Sequence, residues 1–303
     1  MKRHKIRKYI SFIIGSLLVF GLVMANTVQG QEKQYGWYAP DAPKPLPGVK
    51  MPKYLTLMSG GSPTSTYSMA QKIYQTLLKK SFPDMVIRVI PGGTMENMKS
   101  IQAGKYQFGM SITPVIAWGH KGIMFFEKPM PKVKYLATLG KPVACGVFVV
   151  LKDSKIRSCK DLRDKRIVVG SEKSFGRYMA EAELKAIGIS FDDIKKNGGI
   201  IAYIAWGEGI RMMADGNIDA VYYSGTHPYS ALMELNQRRK IRILKREPGQ
   251  VERAIKILPG FTDYVIPADI YEGVPSFHTL ACPAAFIASS DLDKDVVLSL
   301  IHI

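Results

Sequence analysis

The chain has 303 residues, 47% of them hydrophobic and 22% charged, with a formal net charge of +17 at neutral pH. That balance excludes a disordered or collagen-like polypeptide, and the length is enough for two domains with separate cores. Three widely spaced cysteines, Cys145, Cys159 and Cys282, exclude a zinc-binding pattern and a dense disulfide framework, and leave one bridge or three free thiols open.

At the N-terminus Lys2, Arg3, Lys5, Arg7 and Lys8 form a positive segment without an acidic residue. An apolar stretch from Tyr9 to Ala25 and small-residue exits at Ala25-Asn-Thr27 and Val28-Gln-Gly30 follow. This is the layout of a secretory signal peptide over residues 1–30. The alternative is an uncleaved anchor, because the apolar stretch is just long enough to span a bilayer. Either reading puts the rest of the chain outside the cytoplasm. Five of the 42 basic residues belong to this leader, which leaves 37 against 25 acidic ones, a net of +12. The densest run, Arg238-Arg-Lys-Ile-Arg-Ile-Leu-Lys-Arg246, reads as a solvated helix end followed by a strand rather than a nucleic-acid or membrane patch. No nucleic-acid partner is expected, while a spread positive field favours anionic small ligands.

Residues 31–53 are rich in Pro and Gly and form an extended linker. From Tyr54 strands and helices alternate. A strand over Tyr54–Met58 leads through Ser59-Gly-Gly-Ser-Pro-Thr-Ser-Thr-Tyr67 into a helix over 66–80, with Met69, Ile73 and Leu77 on one face. A strand over Met85–Ile90 leads through Pro91-Gly-Gly93 to a short helix that carries Met95, Met98 and Ile101 and stops at Gly104. A strand over Phe108–Ile112 completes a β-α-β-α-β series, the mark of a parallel sheet with crossover helices. Val143–Leu151 is a long apolar strand, after which the series restarts. A short helix opens at Ser158, a strand covers Arg166–Val169, and a second small-residue loop, Gly170-Ser-Glu-Lys-Ser-Phe-Gly176, precedes a helix over 177–187. A strand near 200–204, a helix near 208–214, a strand over 218–223 and a helix opened by Pro228 follow. The last helix starts at Asp291-Leu-Asp-Lys-Asp295 and runs to Ile303 without a cap, which reads as a truncated C-terminus.

With these segments in order, the chain resembles the TAXI-type solute receptors of tripartite ATP-independent periplasmic (TRAP) transporters over nearly all of Tyr54 to Asp295. Ser59–Tyr67 is similar to that family's Gly-rich opening loop. Gly92-Gly-Thr-Met-Glu-Asn97 with Ile101-Gln-Ala-Gly104, Asp161–Gly170, Ala214-Asp-Gly-Asn-Ile-Asp-Ala220 and Ile266-Pro-Ala-Asp-Ile-Tyr-Glu-Gly273 resemble its later motifs in sequence and spacing. The resemblance implies an α/β, two-lobed type II periplasmic-binding-protein fold, each lobe a mixed, mostly parallel sheet flanked by helices. One lobe is then 54–145 plus 247–303 and the other 146–246. It also implies a periplasmic receptor that captures a small solute, an amino acid or other carboxylate, and passes it to TRAP membrane permease subunits. The family normally continues past the last helix. Two departures touch the expected cleft: Phe175 stands where the family usually has Gly, and Gly109-Met-Ser-Ile-Thr-Pro114 stands where Gln-Ser-Asp is common.

A carboxylate needs convergent donors, from backbone N–H groups, hydroxyls and an arginine. In the first lobe the candidates are Gly60, Gly61, Ser62, Thr64, Ser65 and Thr66, with Tyr67 as a cover. Thr94 and Asn97 at the next helix start and Ser111 and Thr113 at a strand end join them. Helix capping or core packing is the alternative for several of these. In the second lobe they are Ser171, Ser174, Gly176 and, as charge partner, Arg177, with Trp206 as an aromatic wall and Thr226 at a strand end. His227 fits packing better than ligation. No Gly-x-Ser-x-Gly elbow, His-Glu-x-x-His helix or phosphate loop is present, and the histidines are too scattered for a metal site. No enzyme activity, cofactor or metal is therefore expected. A solute sensor that signals to a membrane partner is the alternative to transport, with an exported enzyme behind it.

Overall fold

The structure is a computed structural model that describes residues 46–61, 65–140, 142, 144–172 and 174–302. The expected leader and the linker up to residue 45 lie outside the described residues, as do Ser62, Thr64 and the side chain of Ser65.

The first sheet grows from β1 (Tyr54–Met58), β2 (Val86–Ile90) and β3 (Phe108–Ile112). These three pair in parallel, and helices return between them: α1 (Ser65–Ile73) and α2 (Thr94–Gln102). The helical path of α1 continues through a widened π turn at Tyr74–Leu78 to Ser81. There the Thr76 hydroxyl donates to the Lys72 carbonyl at 2.7 Å, a back-bond that competes with the ladder and loosens the turn. After β3 come α3 (Thr113–Lys121), closed by left-handed Gly122, and β4 (Val133–Thr138).

The chain then crosses to the second sheet. Its elements are β5 (Ala144–Leu151), β6 (Arg166–Val168), α4 (Gly176–Lys185), α5 (Phe191–Lys196), β7 (Ile200–Ala202), α6 (Trp206–Ala214), β8 (Ala220–Gly225), α7 (Ser230–Arg238) and β9 (Ile241–Ile243). Next come α8 (Gln250–Ile257), β10 (Thr262–Ile266) and β11 (Phe277–Cys282). Only β12 (Ala284–Ser289) and α9 (Lys294–His302) return to the first lobe.

Strand orders are β2-β1-β3-β12-β4 and β10-β11-β5-β8-β6-β7, with β9 beside β5. The second crossing therefore falls at Pro283, between β11 and β12, and not at residue 247 as the sequence led us to expect. The reason is that β11 has a hydrogen-bonding partner in β5, whereas β12 fits between β3 and β4. The two strands that begin just after a crossing, β5 and β12, run against most of their own sheet. β12 opposes β3 and β4, and β5 opposes β8, β9 and β11.

The same register answers the thiol question. Cys145 lies opposite Ala281, and Cys282 opposite Ala144, one position along. Neighbouring residues on a strand point to opposite faces, so the two thiols sit on opposite sides of the sheet. All three cysteines are free and buried, and burial pushes the Cys145 and Cys159 thiols up to about 12. Among the described residues no helix is long and apolar enough to cross a membrane.

Beneath α4 lies a buried ion pair. Glu183 is fully buried, and Arg246, between β9 and α8, holds it with two bonds, Nε to Oε2 at 2.6 Å and Nη2 to Oε1 at 2.9 Å. The Tyr222 hydroxyl donates to Oε1 at 2.7 Å. Burial works against the Arg246 charge, but adjacent Glu183 holds its pKa above the ordinary arginine value. Arg246 was expected in a solvated basic run, and tertiary packing instead draws its guanidinium inside the lobe.

Candidate functional site

Each sheet presents small-residue corners at the carboxyl ends of its strands, where open α/β sheets bind ligands. In the first lobe the corner is built from within. Ser59 is fully buried, and its hydroxyl donates to the Ile90 carbonyl at 2.9 Å and contacts the Gly60 carbonyl at 3.2 Å. The Gly92 N–H donates to the Gly60 carbonyl at 3.3 Å, so the loops after β1 and β2 lie side by side. A side chain at Gly92 would run into Asn97 at 2.2 Å, so this position needs glycine.

Asn97 itself is fully buried. Its amide nitrogen donates to the carbonyls of Ser59 at 2.8 Å and Met110 at 2.7 Å, and its oxygen accepts from Gly93 N–H at 3.2 Å. Ser111, also buried, donates to the Thr94 carbonyl at 2.9 Å. Asn97 and Ser111, expected to touch ligand, thus brace the strand ends, because their hydrogen-bonding capacity is turned inward. The Thr113 N–H donates to the Pro283 carbonyl at 3.1 Å and ties the start of α3 to the crossing segment. Gly60, Gly61, Thr66 and Tyr67 are half-buried at the rim, and the Tyr67 hydroxyl accepts from Gln71 Nε2 at 3.1 Å.

The second corner is assembled differently. The Ser174 N–H donates to the Ser171 carbonyl at 2.8 Å, and its hydroxyl accepts from the Gly176 N–H at 3.1 Å. Gly170 has a φ of +87°, and a Cβ there would lie 2.8 Å from Trp206 Nε1; one at Gly176 would lie 2.9 Å from Trp206 Cζ2. The two glycines therefore make the slot into which the Trp206 indole fits, against Tyr223 at 5.4 Å. Tyr223 in turn stacks on Tyr229 at 4.5 Å, and its hydroxyl donates to the Thr226 carbonyl at 2.9 Å. Arg177 lies over the Tyr178 ring at 4.3 Å and near that of Tyr203 at 5.8 Å, with Nη2 donating to the Tyr178 hydroxyl at 2.6 Å. Burial opposes the Arg177 charge, and the two tyrosines more than offset it. Two buried N–H groups here, Arg177 Nε and Trp206 Nε1, have no acceptor among the described residues.

Aromatic contacts join the two lobes. Trp118 on α3 and Phe125 just beyond it lie 5.9 and 6.0 Å from Phe175, Phe125 lies 4.5 Å from Tyr178, and Phe175 stacks on Phe261 at 5.9 Å. Phe175, which departs from the expected family pattern, is thus an inter-lobe packing residue. Sequence reasoning missed Tyr178, Tyr203, Trp118 and Phe125; the cluster of aromatics just after each loop was the available signal.

Behind the Trp206 wall, His227 Nε2 faces the Cys145 carbonyl, which can only accept, so in the neutral ring Nδ1 accepts from the Tyr271 hydroxyl at 2.8 Å, and that oxygen in turn accepts from the Tyr229 N–H at 2.9 Å. The proton of neutral His227 then sits on Nε2 and points to the Cys145 carbonyl at 3.2 Å. Burial lowers the His227 pKa to about 4. His227 is a packing residue, and no group of metal-ligating residues occurs among the described residues.

The NMT1-like family matches residues 58–303, and the chain belongs to that family. Among solved structures, PhnD1 from Prochlorococcus marinus in complex with methylphosphonate is 15% identical with a TM-score of 0.52, over 82% of each chain. The periplasmic aliphatic sulphonate binding protein SsuA from Escherichia coli is 15% identical with a TM-score of 0.47, over 78% of this chain and 65% of its own. This chain thus spans slightly less than two thirds of the SsuA length. A binding protein component of an ABC phosphonate transporter from Pseudomonas aeruginosa is 10% identical with a TM-score of 0.49, over 84% of this chain and 74% of its own. The likeness to PhnD1 is one of fold, and with the two-sheet topology it identifies the type II periplasmic-binding-protein architecture.

Proposed function

We propose that this member of the NMT1-like family is an extracytoplasmic solute-binding receptor, not an enzyme, which grips a small anionic solute between its lobes and passes it to a membrane transporter. One observation carries the reading: the unpartnered N–H groups of Arg177 and Trp206 on the second corner. Each buried donor left without an acceptor costs about 1–3 kcal/mol. A solute head made of acceptors alone, a carboxylate or another oxyanion, would cancel that cost. The arginine charge and the start of α4 favour the same sign. Methylphosphonate, bound by the Prochlorococcus protein of the same fold, has such a head. The motifs that resemble TAXI-type receptors make carboxylates the first class to test and a TRAP permease the transporter. Closure of the lobes would bring the Gly60–Tyr67 rim over the solute.

The test is a thermal-shift screen of amino acids, 2-oxo acids, dicarboxylates and small phosphonates. A solute at about a hundred times its Kd adds about 2.7 kcal/mol and raises Tm by roughly 5 °C or more. The shift should shrink in Arg177→Ala and Trp206→Phe. No shift with any oxyanion, or full shifts in both variants, overturns the reading. Recovery of a chemically altered compound in place of the added one would point to an enzyme.

A further inference from the structure

A pocket of about 840 Å³ opens on the second lobe between β9 and the segment before β11. It lies toward the end of β5 remote from Cys145, so it is separate from the cleft edge. Its floor is apolar, with buried Val251 and Val274 and half-buried Phe277. One end is lined by Lys152, Arg157, Arg242 and Lys245, none of which has an ion-pair partner among the described residues.

The two arginines share one turn of backbone. Arg157 Nη1 donates to the Ser154 carbonyl at 2.6 Å, and Arg242 Nη1 donates to Ser154 at 3.3 Å and Ile156 at 2.9 Å. Carbonyls orient the guanidiniums but leave both charges standing. The nearby acids attract the two arginines from a distance but have their closest partners elsewhere. Asp153 pairs with Arg239 at 2.9 Å, and Asp161 accepts the N–H groups of Arg157 at 2.8 Å and Ser158 at 2.9 Å. Burial, together with the neighbouring Arg157 charge, lowers the pKa of Arg242. Of the acids on the lining, Asp263 faces His278 and Glu247 faces Lys160, each at 2.8 Å, while Glu252 is exposed.

We propose that this pocket is a second ligand site, for an amphipathic anion. A phosphate or carboxylate head would sit against the four cations, with an apolar body along Val274 and Phe277. The source is a soluble solute or an anionic lipid headgroup, which share that chemistry.

The probe is octyl phosphate, titrated by calorimetry into the full chain below its micelle concentration. It should bind at least tenfold more tightly than inorganic phosphate, because only the alkyl chain uses the apolar floor. Arg157→Gln with Arg242→Gln should weaken it at least tenfold. Lys152→Ala with Lys245→Ala, exposed side chains that do not brace the turn, should weaken it about threefold or more and stands in if the arginine pair fails to fold. Arg177→Ala should leave it unchanged. Binding that survives both paired variants, disappears in Arg177→Ala, or is no tighter than for inorganic phosphate overturns the proposal. Pelleting with phosphatidylglycerol but not phosphatidylcholine vesicles, lost in the lysine pair, identifies a lipid headgroup. Octyl phosphate binding without pelleting identifies a soluble solute.

Discussion

The corner at Ser59–Tyr67 and the corner at Gly170–Arg177 are both rich in glycine and hydroxyl residues, yet they use them in opposite ways. In the described part of the first, the buried polar atoms of Ser59, Asn97 and Ser111 are satisfied by the backbone of neighbouring strands. In the second, glycines make room for an indole, and two buried donors have no acceptor among the described residues. The described part of the first corner is a hydrogen-bonded frame, and that of the second holds unspent hydrogen-bonding capacity. Small-residue loops alone do not distinguish these cases, because the difference lies in what the loop packs against.

The largest effect should come from the support under the second corner. Glu183→Gln leaves Arg246 charged and buried without its partner, and should cost about 3–5 kcal/mol in urea unfolding. A loss below 1 kcal/mol would mean that α4 is held by packing alone. Next is the pH response behind Trp206. Between pH 6.5 and about 4 the unfolded chain takes up a proton that buried His227 refuses, so stability falls as the solution is acidified through that window. The shift corresponds to about 3 kcal/mol. The carboxylates of Asp161, Asp193, Asp219 and Asp291, held below the ordinary aspartate value of 3.8 by their hydrogen bonds, act mainly at the acid end of the window and below it. His227→Gln should flatten this slope, and an unchanged slope would assign it to another group.

A smaller loss is expected on the first corner. Asn97→Ala strands the carbonyls of Ser59 and Met110 and should cost about 2–3 kcal/mol. If Asn97 only frames the cleft, stability falls with little change in solute affinity measured below the new Tm; a large selective loss of affinity would make the corners alike. The smallest effect on stability should come from Trp206→Phe. It removes an orphaned donor and should leave stability equal or about 1 kcal/mol higher. Affinity for the solute should fall about tenfold, and a loss of stability without a loss of affinity would break the contrast.

Much of the first lobe was legible because local signals agree there. Strand periodicity, the Gly-rich turns and the helix stop at Gly104 mark elements that form close to where they were expected. The second half of the second lobe was not. β11 joins its sheet through antiparallel pairing with β5, more than a hundred residues earlier, and β10 joins through β11; no local pattern encodes that partner. Arg246 was hidden for the same reason. In a run of basic residues, only the position of Glu183 across the lobe selects the one that is buried.

The sequence by itself determined an alternating α/β chain with glycine-rich corners at strand ends and an excess of positive charge, because backbone periodicity and turn chemistry are local. It also placed Arg177 and Trp206 beside those corners. Only the tertiary structure decided which corner is satisfied and which keeps free donors, where the chain re-enters the first lobe, and that Cys145 and Cys282 face away from each other. Those outcomes depend on long-range register and on packing between the lobes.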